Sequence, residues 1–334
     1  MRLVYPVCCG VDVHKTFLVA TIITTTNSIL PKYQQKRFST YYSGLLDFKQ
    51  WLFANNCKDV CMESTGKYWV PVWNVLEAAS INVVIANPKW VSAVKGNKDD
   101  KKDSKWIGDL FRMGLVPPSY IPVRDIRILR EFTRYRSKLV SMRSSEKNRF
   151  QNAFTVCNLT LDAVVSDMFG VSATAIENYL LDTDDVDPNH CVYLLRGSLK
   201  KKASDVVEAV KGFNMTAEQK ERVRIIQGHF DDIDKRIVQI DHVILRLTAD
   251  YEAQISLLCT IPGIDRRLAI TIISEIGTDM SVFGSSKRLC RWAGLTPGNN
   301  ESAGKKKSVR ISRAGVYLKP ALVYVVVTVI LLLV

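Results

Sequence analysis

Short apolar runs alternate with amphipathic stretches through the N-terminal third of the chain. The pattern predicts five strands, at Val7–Val13, Phe17–Ile23, Lys36–Thr40, Asp59–Glu63 and Ile81–Ala86. Residues 41–55 carry Leu45, Leu46, Phe48 and Leu52 at helical spacing. A strand meander followed by strands that alternate with helices predicts an α/β sheet domain.

Two long stretches of heptad spacing follow this domain. Residues 124–159 predict one helix, whose apolar seam consists of Ile128, Phe132, Tyr135, Leu139 and Met142. A second seam alternates in the same way and consists of Ile226, Phe230, Ile233, Ile237, Ile240, Ile244, Leu247 and Tyr251. Together they predict a coiled-coil arm. Periodicity leaves open whether its helices pair within one chain or between protomers.

The last part of the chain combines a hairpin pattern with a basic run. Ile261-Pro-Gly-Ile264, followed by helical spacing to Ile276, predicts a unit like a helix-hairpin-helix, in which backbone N–H groups can meet a DNA phosphate. Between Lys287 and Arg313 stand eight Lys or Arg and one acid, Glu301. We therefore expect this basic run to contact nucleic acid. The patterns along the chain together predict three domains, at 1–118 (sheet), 119–258 (helical arm) and 259–334 (mainly α).

Charge changes this picture more than composition does. The net charge is +13 over 334 residues and the pI is near 9.3, a balance that favours a polyanionic partner. The eight cysteines form no Cys-x-x-Cys pair, and no signal peptide opens the chain, so we expect reduced thiols in a cytoplasmic protein. The 14 apolar residues after Pro320 are too few for a membrane span, which needs about 20, and predict a segment that is buried or left exposed by truncation.

Four carboxylates could converge on a metal ion. Asp12 lies near the end of the first strand and Glu63 ends a later one, while Asp100 and Asp103 share one face where a helix begins. Phosphodiester cleavage needs charge neutralisation, and oxygen ligands without Cys or His suit Mg²⁺ or Mn²⁺. Taken singly, each acid could equally be a turn residue or a helix cap. The acidic stretch 182–187 lacks the glycine and closing glutamate of a calcium loop and predicts a solvated loop.

As a set, these motifs resemble the DEDD transposases of bacterial insertion sequences, which are related to Piv-type DNA invertases. The matching N-terminal motifs are Gly10-Val-Asp-Val-His-Lys15, Glu63-Ser-Thr-Gly66, Asn87-Pro88 and Asp100-Lys-Lys-Asp-Ser104. The matching C-terminal motifs are Ile261-Pro-Gly-Ile264, Gly294-Leu-Thr-Pro297, Ser302-Ala-Gly-Lys305 and Ile311-Ser-Arg-Ala-Gly315. The chain departs from the family pattern at Ser104, Gly298 and Ala303, and it ends soon after Tyr317-Leu-Lys319, where family members normally continue.

The resemblance implies a fold, a mechanism and partners. The fold is an α/β RNase H-like (RuvC-like) domain, a coiled-coil arm and a mainly α C-terminal domain. Asp12, Glu63, Asp100 and Asp103 are the implied metal-binding catalytic tetrad, and Ser302 is the implied nucleophile, through which DNA is cleaved and rejoined. The implied partners are DNA, a structured guide RNA from the same element and further copies of the chain, as a dimer or tetramer in the bacterial cytoplasm at the nucleoid, without a membrane.

Basic residues near these motifs are the candidates for nucleic-acid contact. They are Lys15, Arg127, Arg134, Lys287, Arg288, Arg291, Lys305, Lys306, Lys307, Arg310 and Arg313. The basic helix beginning at Arg124 has nine Lys or Arg against three acids through Arg149, and could serve the RNA.

Three other functions remain open. The first is a metal-dependent nuclease or junction resolvase on the same fold, in which Ser302 is idle. The second is an inactive nucleic-acid-binding copy. The third is an actin-like or sugar-kinase ATPase, but Val13-His14 do not supply the glycine and hydroxyl residues that its phosphate loop requires.

Overall fold

The computed structural model describes residues 3–25, 30–64, 66–91, 100–297, 300–302, 305–308, 311 and 315–332. At 89–90, 100–101, 300–302, 305–308 and 327–332 the description is limited to the backbone. The chain divides into two compact units, Met1–Ile121 and Pro122–Val334.

The first unit is a five-stranded sheet with helices on both faces. Its elements are β1 (Val7–Val13), β2 (Phe17–Thr24), β3 (Lys32–Ser39), α1 (Tyr42–Ala54), β4 (Asp59–Glu63), α2 (Trp69–Glu77), β5 (Asn82–Ala86), α3 (Pro88–Val91) and α4 (Asp100–Arg112). The strand order is β3-β2-β1-β4-β5. β1, β2 and β3 pair antiparallel, whereas β4 is parallel to β1 and β5 is parallel to β4. This mixed order confirms the predicted α/β RNase H-like fold.

Each face of the sheet buries its own core. Cys9, Val11 and Val13 belong to the core that also contains Phe48 of α1 and Leu76 of α2. The alternate residues face the other way, so that Cys8 of β1 and Cys61 of β4 pack with Ile107 and Phe111 of α4. Strand residues that alternate between two covered faces explain why β1 is apolar almost throughout.

The third strand begins earlier than the sequence predicts. Lys32–Gln35 belong to β3, although the apolar pattern predicted a start at Lys36. β3 is an edge strand, and its first six residues are exposed on both sides. A strand that buries so little carries no alternation of apolar residues from which its start could be predicted.

The second unit is mainly helical, as predicted. Its elements are α5 (Arg124–Thr155), α6 (Val171–Asp182), α7 (His190–Tyr193), α8 (Ala203–Val210), α9 (Ala217–Leu247), α10 (Glu252–Cys259), α11 (Arg266–Ile276), α12 (Ser286–Trp292), β6 (Asn300–Ser302), β7 (Lys305–Ser308) and α13 (Leu318–Leu332). Helices α6 to α8 close a separate apolar core with the end of α5 and the start of α9, around Phe154, Ile176 and Leu180.

The two long helices pack against each other antiparallel within one chain. Three pairs in succession show this direction: Arg136 with Asp241, Arg143 with Asp234, and Glu146 with His229. Pairing within one chain is one of the two arrangements that periodicity left open.

The predicted seam is buried on α9 but not along all of α5. Ile233, Ile237 and Ile240 are buried, as predicted. On α5, however, Tyr135 and Met142 are 58% and 47% exposed, so this part of the prediction was wrong. The face of α5 that meets α9 carries Arg136, Arg143 and Glu146 between its apolar residues. A search for apolar heptads misses this face, because charged residues occupy some of its contact positions.

The last part of the unit contains the predicted helical hairpin. α10 and α11 flank a turn in which Gly263 has a φ of +83°, and the Asp265 side chain caps α11 by accepting from the Leu268 N–H. α11 ends at Ile276 and Gly277 follows with a φ of +70°. The apolar C-terminal stretch forms α13, with Leu318 and Ala321 buried. In the described part of the chain, no helix combines the length and apolar character that a membrane crossing requires.

Candidate functional site

Two of the predicted carboxylates lie next to each other at one end of the sheet. In the parallel pair β1–β4, Val11 is opposite Met62, so that Asp12 and Glu63 follow side by side. Neighbouring strands are about 4.8 Å apart. Both residues face the side covered by α4, because Cys8 and Cys61, at alternate positions of the same strands, contribute to the core under that helix. Both side chains are half-buried.

Helix α4 starts at the same end of the sheet. It runs antiparallel to β1: the Arg112 carbonyl accepts from the N–H of Val4 (2.9 Å) and of Tyr5 (3.2 Å), near the start of that strand. Earlier in the helix, Ser104 lies over Gly10, two residues before Asp12. The first turn of α4, with Asp100 and Asp103, therefore points towards the end at which Asp12 and Glu63 lie.

Gly10 explains how the helix can lie so close to the strand. A Cβ atom at residue 10 would be 2.2 Å from the backbone oxygen of Ser104 and 2.3 Å from the backbone nitrogen of Gly108. Atoms at such distances overlap, so only glycine allows α4 this approach. Gly10 thus fixes the height of the α4 N-terminus above the strand that carries Asp12.

A buried hydrogen-bond network holds the start of α4 in register. The Ser104 hydroxyl lies 2.8 Å from the Thr21 hydroxyl of β2, and both accept from Gln35 Nε2 of β3, at 3.2 and 2.9 Å. Ser104 and Thr21 are almost fully buried. Serine at position 104, a departure from the family pattern, is therefore accommodated by two hydrogen-bonding partners from the sheet.

His14, which belongs to the Gly10–Lys15 motif, is a neighbour of Asp12 that was not among the predicted site residues. Its Nε2 lies 3.0 Å from Oδ2 of Asp12. The imidazole stacks on Phe17 at 4.5 Å between centroids, and Arg37 covers the same phenyl ring at 3.6 Å. The i, i+2 spacing of Asp12 and His14 along β1 and its turn was the available signal, since such residues share a face of a strand.

The donor set suits a hard cation. Asp12, Glu63 and Asp103 offer oxygen ligands only, which Mg²⁺ and Mn²⁺ accept. Among the side chains that the structure describes, no group of three or more His, Cys, Asp or Glu is close enough to hold a metal ion. Asp103 is half-buried on α4, and the Asp100 side chain is outside the described part. The metal-binding tetrad stays a prediction.

The predicted nucleophile lies in a two-stranded hairpin of the second unit. β6 and β7 pair antiparallel, with Ser302 opposite Lys305 and Glu301 opposite Lys306. Lys307 also belongs to β7. Arg310 and Arg313 lie outside the described residues.

The other basic candidates differ in their surroundings. Lys15 is exposed in the β1–β2 turn, and Lys287, Arg288 and Arg291 are exposed on α12. Arg127, on α5, donates to the backbone oxygen of Pro122 at 3.0 Å.

Arg134 has a carboxylate partner inside the second unit. Its guanidinium makes two hydrogen bonds of 2.7 Å to Glu275 of α11, and these bonds raise the pKa of Arg134. Glu275 is only 5% exposed, and Arg130 donates to the backbone oxygens of Ser274 and Glu275. This contact attaches α11 to α5, and nucleic-acid contact by Arg134, whose side chain is 41% exposed, stays a prediction.

Two family models match the chain. Residues 9–158 match a model of DEDD transposases, and residues 255–332 match the model described as "Transposase IS116/IS110/IS902 family". Together they span about two thirds of the chain. No curated protein matches the chain.

Among solved structures, the similarity covers about one third of the chain. RuvC of Thermus thermophilus is 14% identical with a TM-score of 0.27, and the match covers 34% of this chain and 99% of that one. The Fowlpox virus resolvase in complex with Holliday junction DNA is 13% identical with a TM-score of 0.27, and the match covers 32% and 99%. T. thermophilus RuvC with a Holliday junction substrate is 13% identical, again with a TM-score of 0.27, over 34% and 100%.

Proposed function

Because this chain belongs to the IS116/IS110/IS902 family of transposases and is a DNA transposase, we propose that it cleaves and rejoins DNA with two sets of residues. Asp12, Glu63, Asp100 and Asp103 hold Mg²⁺ or Mn²⁺. Ser302 is the nucleophile that forms a transient bond to the DNA.

One observation supports the metal-binding role above the others. Asp12 and Glu63 stand side by side at the end of two parallel strands, on the face over which the first turn of α4 begins. Repulsion between neighbouring carboxylates at a half-buried sheet edge is unfavourable unless a cation balances it. The four acids come from three separate stretches of sequence, around Asp12, at Glu63 and at Asp100–Asp103. Ordinary turn residues or helix caps would not require these stretches to lie near the same end of the sheet.

The side chains at this edge of the sheet are suited to binding a phosphodiester together with a metal ion. A divalent cation bound there would neutralise the phosphate charge that develops during cleavage. The carboxylates bind the ion, and the hydrogen bond from His14 to Asp12 orients one of them. The network of Ser104, Thr21 and Gln35 fixes the start of α4, and Lys15 lies exposed in the turn that follows Asp12.

The serine step exchanges one phosphoester bond for another. The Oγ of Ser302 attacks a phosphorus atom of DNA, the hydroxyl proton passes to solvent, and the bond from phosphorus to one deoxyribose oxygen breaks. That oxygen takes up a proton and leaves as a hydroxyl. A hydroxyl of the second DNA end then attacks the phosphoserine and restores Ser302, so that the phosphoester energy is kept for rejoining.

The basic residues serve the nucleic acids in this proposal. Charges that neutralise phosphates are supplied on β7 and after it by Lys305, Lys306, Lys307, Arg310 and Arg313, and on α12 by Lys287, Arg288 and Arg291. The partners are two DNA sites, a structured guide RNA for which the basic α5 with Arg127 is available, and further copies of the chain. The proposed place of action is the bacterial cytoplasm, at the nucleoid.

DNA cleavage by carboxylate variants tests the metal-binding role. Labelled DNA carrying the element junction, with the element's RNA, is incubated with purified protein and Mg²⁺ or Mn²⁺. Because a metal-bound phosphate gains several kcal/mol of stabilisation, we expect Asp12→Asn, Glu63→Gln and Asp103→Asn each to reduce the cleavage rate by about a hundredfold or more.

Asp59→Asn is the matched control. Asp59 begins β4, which Glu63 ends, and its Oδ1 accepts from Asn82 at 2.7 Å. We expect this variant to cleave within about a factor of three of wild type. Cleavage that resists EDTA, or that survives in the Asp12 and Glu63 variants, contradicts the metal-binding role.

A further inference from the structure

Arg37 lies level with Asp12 on the same side of the sheet. In the antiparallel registers, Asp12 of β1 is opposite Val19 of β2, and Val19 is opposite Arg37 of β3. Gln35, two residues before Arg37, donates to Ser104 of α4, so both β3 residues face the side that α4 covers. Because one strand separates β1 from β3, Asp12 and Arg37 stand about 10 Å apart across the sheet.

The guanidinium of Arg37 is held in place without being neutralised. It lies 3.6 Å from the centroid of Phe17, whose ring also stacks on His14. Arg37 is exposed, and no carboxylate in the described part of the chain pairs with it. A guanidinium that stacks on a ring still presents N–H groups at the edge of its plane, where a phosphate can accept two of them. Arg37 is therefore positioned to bind an anion.

The turn after β1 is fixed against the same end of β3. The His14 N–H donates to the Phe17 carbonyl at 2.9 Å and closes the turn around the exposed Lys15. From the side of β3, the Thr40 hydroxyl donates to the Lys15 carbonyl at 2.8 Å. Two exposed cations, Lys15 and Arg37, are thus held at the end of the sheet where the carboxylates lie.

The spacing between Arg37 and Asp12 suits the backbone of one DNA strand. Each strand of B-DNA carries a phosphate about every 3.4 Å along the helix axis, so about 10 Å corresponds to three nucleotides. We propose that Arg37 binds a backbone phosphate of the DNA strand that is cleaved at the Asp12–Glu63 edge, about three nucleotides from the scissile phosphate. The proposal rests on the proposed function in one respect, namely that DNA is cleaved at this edge.

Protection of the sheet edge is the other role open to Arg37. Charged residues on an edge strand discourage pairing with the strands of other chains, and β3 is an edge strand. Lys36 separates the two roles. It is exposed like Arg37 and lies 5.1 Å from the centroid of a ring, that of Phe38, but this ring belongs to the core on the opposite face. Edge protection involves both cations, whereas a DNA strand at the carboxylates meets Arg37 alone.

The first test is the binding of labelled junction DNA to the full-length chain with its element's RNA. Ca²⁺ replaces Mg²⁺, a denaturing gel confirms that the DNA stays intact, and fluorescence anisotropy gives the affinity at several salt concentrations. We expect Arg37→Gln to weaken binding by about tenfold and to reduce the slope of log K against log salt by about one. Arg37→Lys should keep the slope, and Lys36→Gln should bind within about twofold of wild type.

A scan with neutral backbone links locates the contact. A methylphosphonate replaces one phosphate of the cleaved strand at a time, and each DNA is titrated with wild type and with Arg37→Gln. At the contacted phosphate, neutralisation should weaken wild-type binding by about tenfold and leave the binding of Arg37→Gln unchanged. At every other position the two proteins should respond alike. Circular dichroism checks that each variant is folded.

Three results overturn the proposal. They are unchanged binding in Arg37→Gln, equal losses in Arg37→Gln and Lys36→Gln, and a loss in Arg37→Gln without any coupled phosphate, which leaves edge protection or contact with the RNA. A coupled phosphate more than about six nucleotides from the cleavage position also overturns it. The scan measures binding, so its failure leaves the metal-binding role intact. If Asp12→Asn still cleaves, the metal-binding role fails while a coupled phosphate still establishes the contact of Arg37 with DNA.

Discussion

At the scale of single residues, the space around Gly10 decides how the carboxylate edge is built. A Cβ atom at this position would overlap with the α4 backbone, which cannot move aside as the end of a flexible side chain can. Position 10 therefore couples the strand that carries Asp12 to the helix that carries Asp103.

Gly10→Ala tests this coupling. We expect it to lower the free energy of unfolding of the first unit by about 3 kcal/mol or more, since overpacking against backbone forces α4 away from the sheet. Denaturant unfolding followed by circular dichroism measures the change. Gly228→Ala in α9 is the control: nothing lies within 4 Å of the added Cβ, and removing glycine from a helix should stabilise it by about 0.5–1 kcal/mol. Equal stability of Gly10→Ala and wild type would contradict the close packing described above.

At this scale, the positions of some residues could be predicted from the sequence and those of others could not. The i, i+3 spacing of Asp100 and Asp103 and the strand-end positions of Asp12 and Glu63 were visible in the sequence, because each follows from local periodicity. Glu177 of α6, which is 2% exposed, gave no such signal, since a glutamate in an amphipathic helix is normally solvated. Its burial depends on α5 and α9, which are distant along the chain.

At the scale of elements, the α5–α9 pair uses charge where the sequence suggested an apolar seam. Arg136, Arg143 and Glu146 on α5 each find an oppositely charged or histidine partner on α9. Their long side chains cover apolar surface while the charged groups pair. This explains why the α9 seam could be predicted from its isoleucines and the α5 seam could not.

The contact of α5 with α11 carries a prediction of its own. Glu275 is 5% exposed and receives two hydrogen bonds from Arg134. We expect Glu275→Gln to lower the free energy of unfolding of the second unit by about 3 kcal/mol, because loss of one partner leaves a guanidinium poorly compensated beside a buried surface. Thermal and denaturant unfolding measure it.

The exposed pair of Arg266 and Glu252 supplies the control for that experiment. Its side chains are 45% and 52% exposed, although the hydrogen bonds are as short, at 2.6 and 2.7 Å. Solvent screens this pair, so Glu252→Gln should leave the free energy of unfolding close to that of wild type. If the two glutamine variants are equally stable, the contact of α5 with α11 is not held by this ion pair.

At the scale of the whole molecule, the composition indicated a polyanionic partner, but the order of strands in the sheet could be learned only from the structure. The excess of Lys and Arg favoured a polyanion before any element was assigned. Five strands could be found from their apolar runs, but the parallel pairing of β4 with β1 could not, because nothing in either run fixes which strand is its neighbour. The adjacency of Asp12 and Glu63 depends on that pairing. The family resemblance implied that Asp12 and Glu63 lie close together, and the structure gives the register of β1 and β4 that makes them neighbours.

In the C-terminal part, a motif could locate a residue but could not establish its chemical role. Ser302 and Lys305 were found by motif, and the structure pairs them across the antiparallel strands β6 and β7. The assignment of a nucleophile depends on a reaction rather than on a pattern, since a serine in a short basic hairpin can also be an ordinary loop residue.

The most direct test of the account is therefore the capture of a protein–DNA bond. Wild-type protein, its element's RNA and labelled junction DNA are incubated with Mg²⁺ and separated on a denaturing gel, beside Ser302→Ala, Asp12→Asn and the control Ser308→Ala, which changes a serine of the neighbouring strand β7. The account predicts an adduct in wild type and Ser308→Ala, its loss in the other two variants, and a DNA-linked peptide that contains Ser302. DNA cleavage that yields no adduct, persists in Ser302→Ala and is lost in Asp12→Asn would contradict the serine mechanism and identify a metal-dependent nuclease. DNA binding without any cleavage would identify an inactive copy.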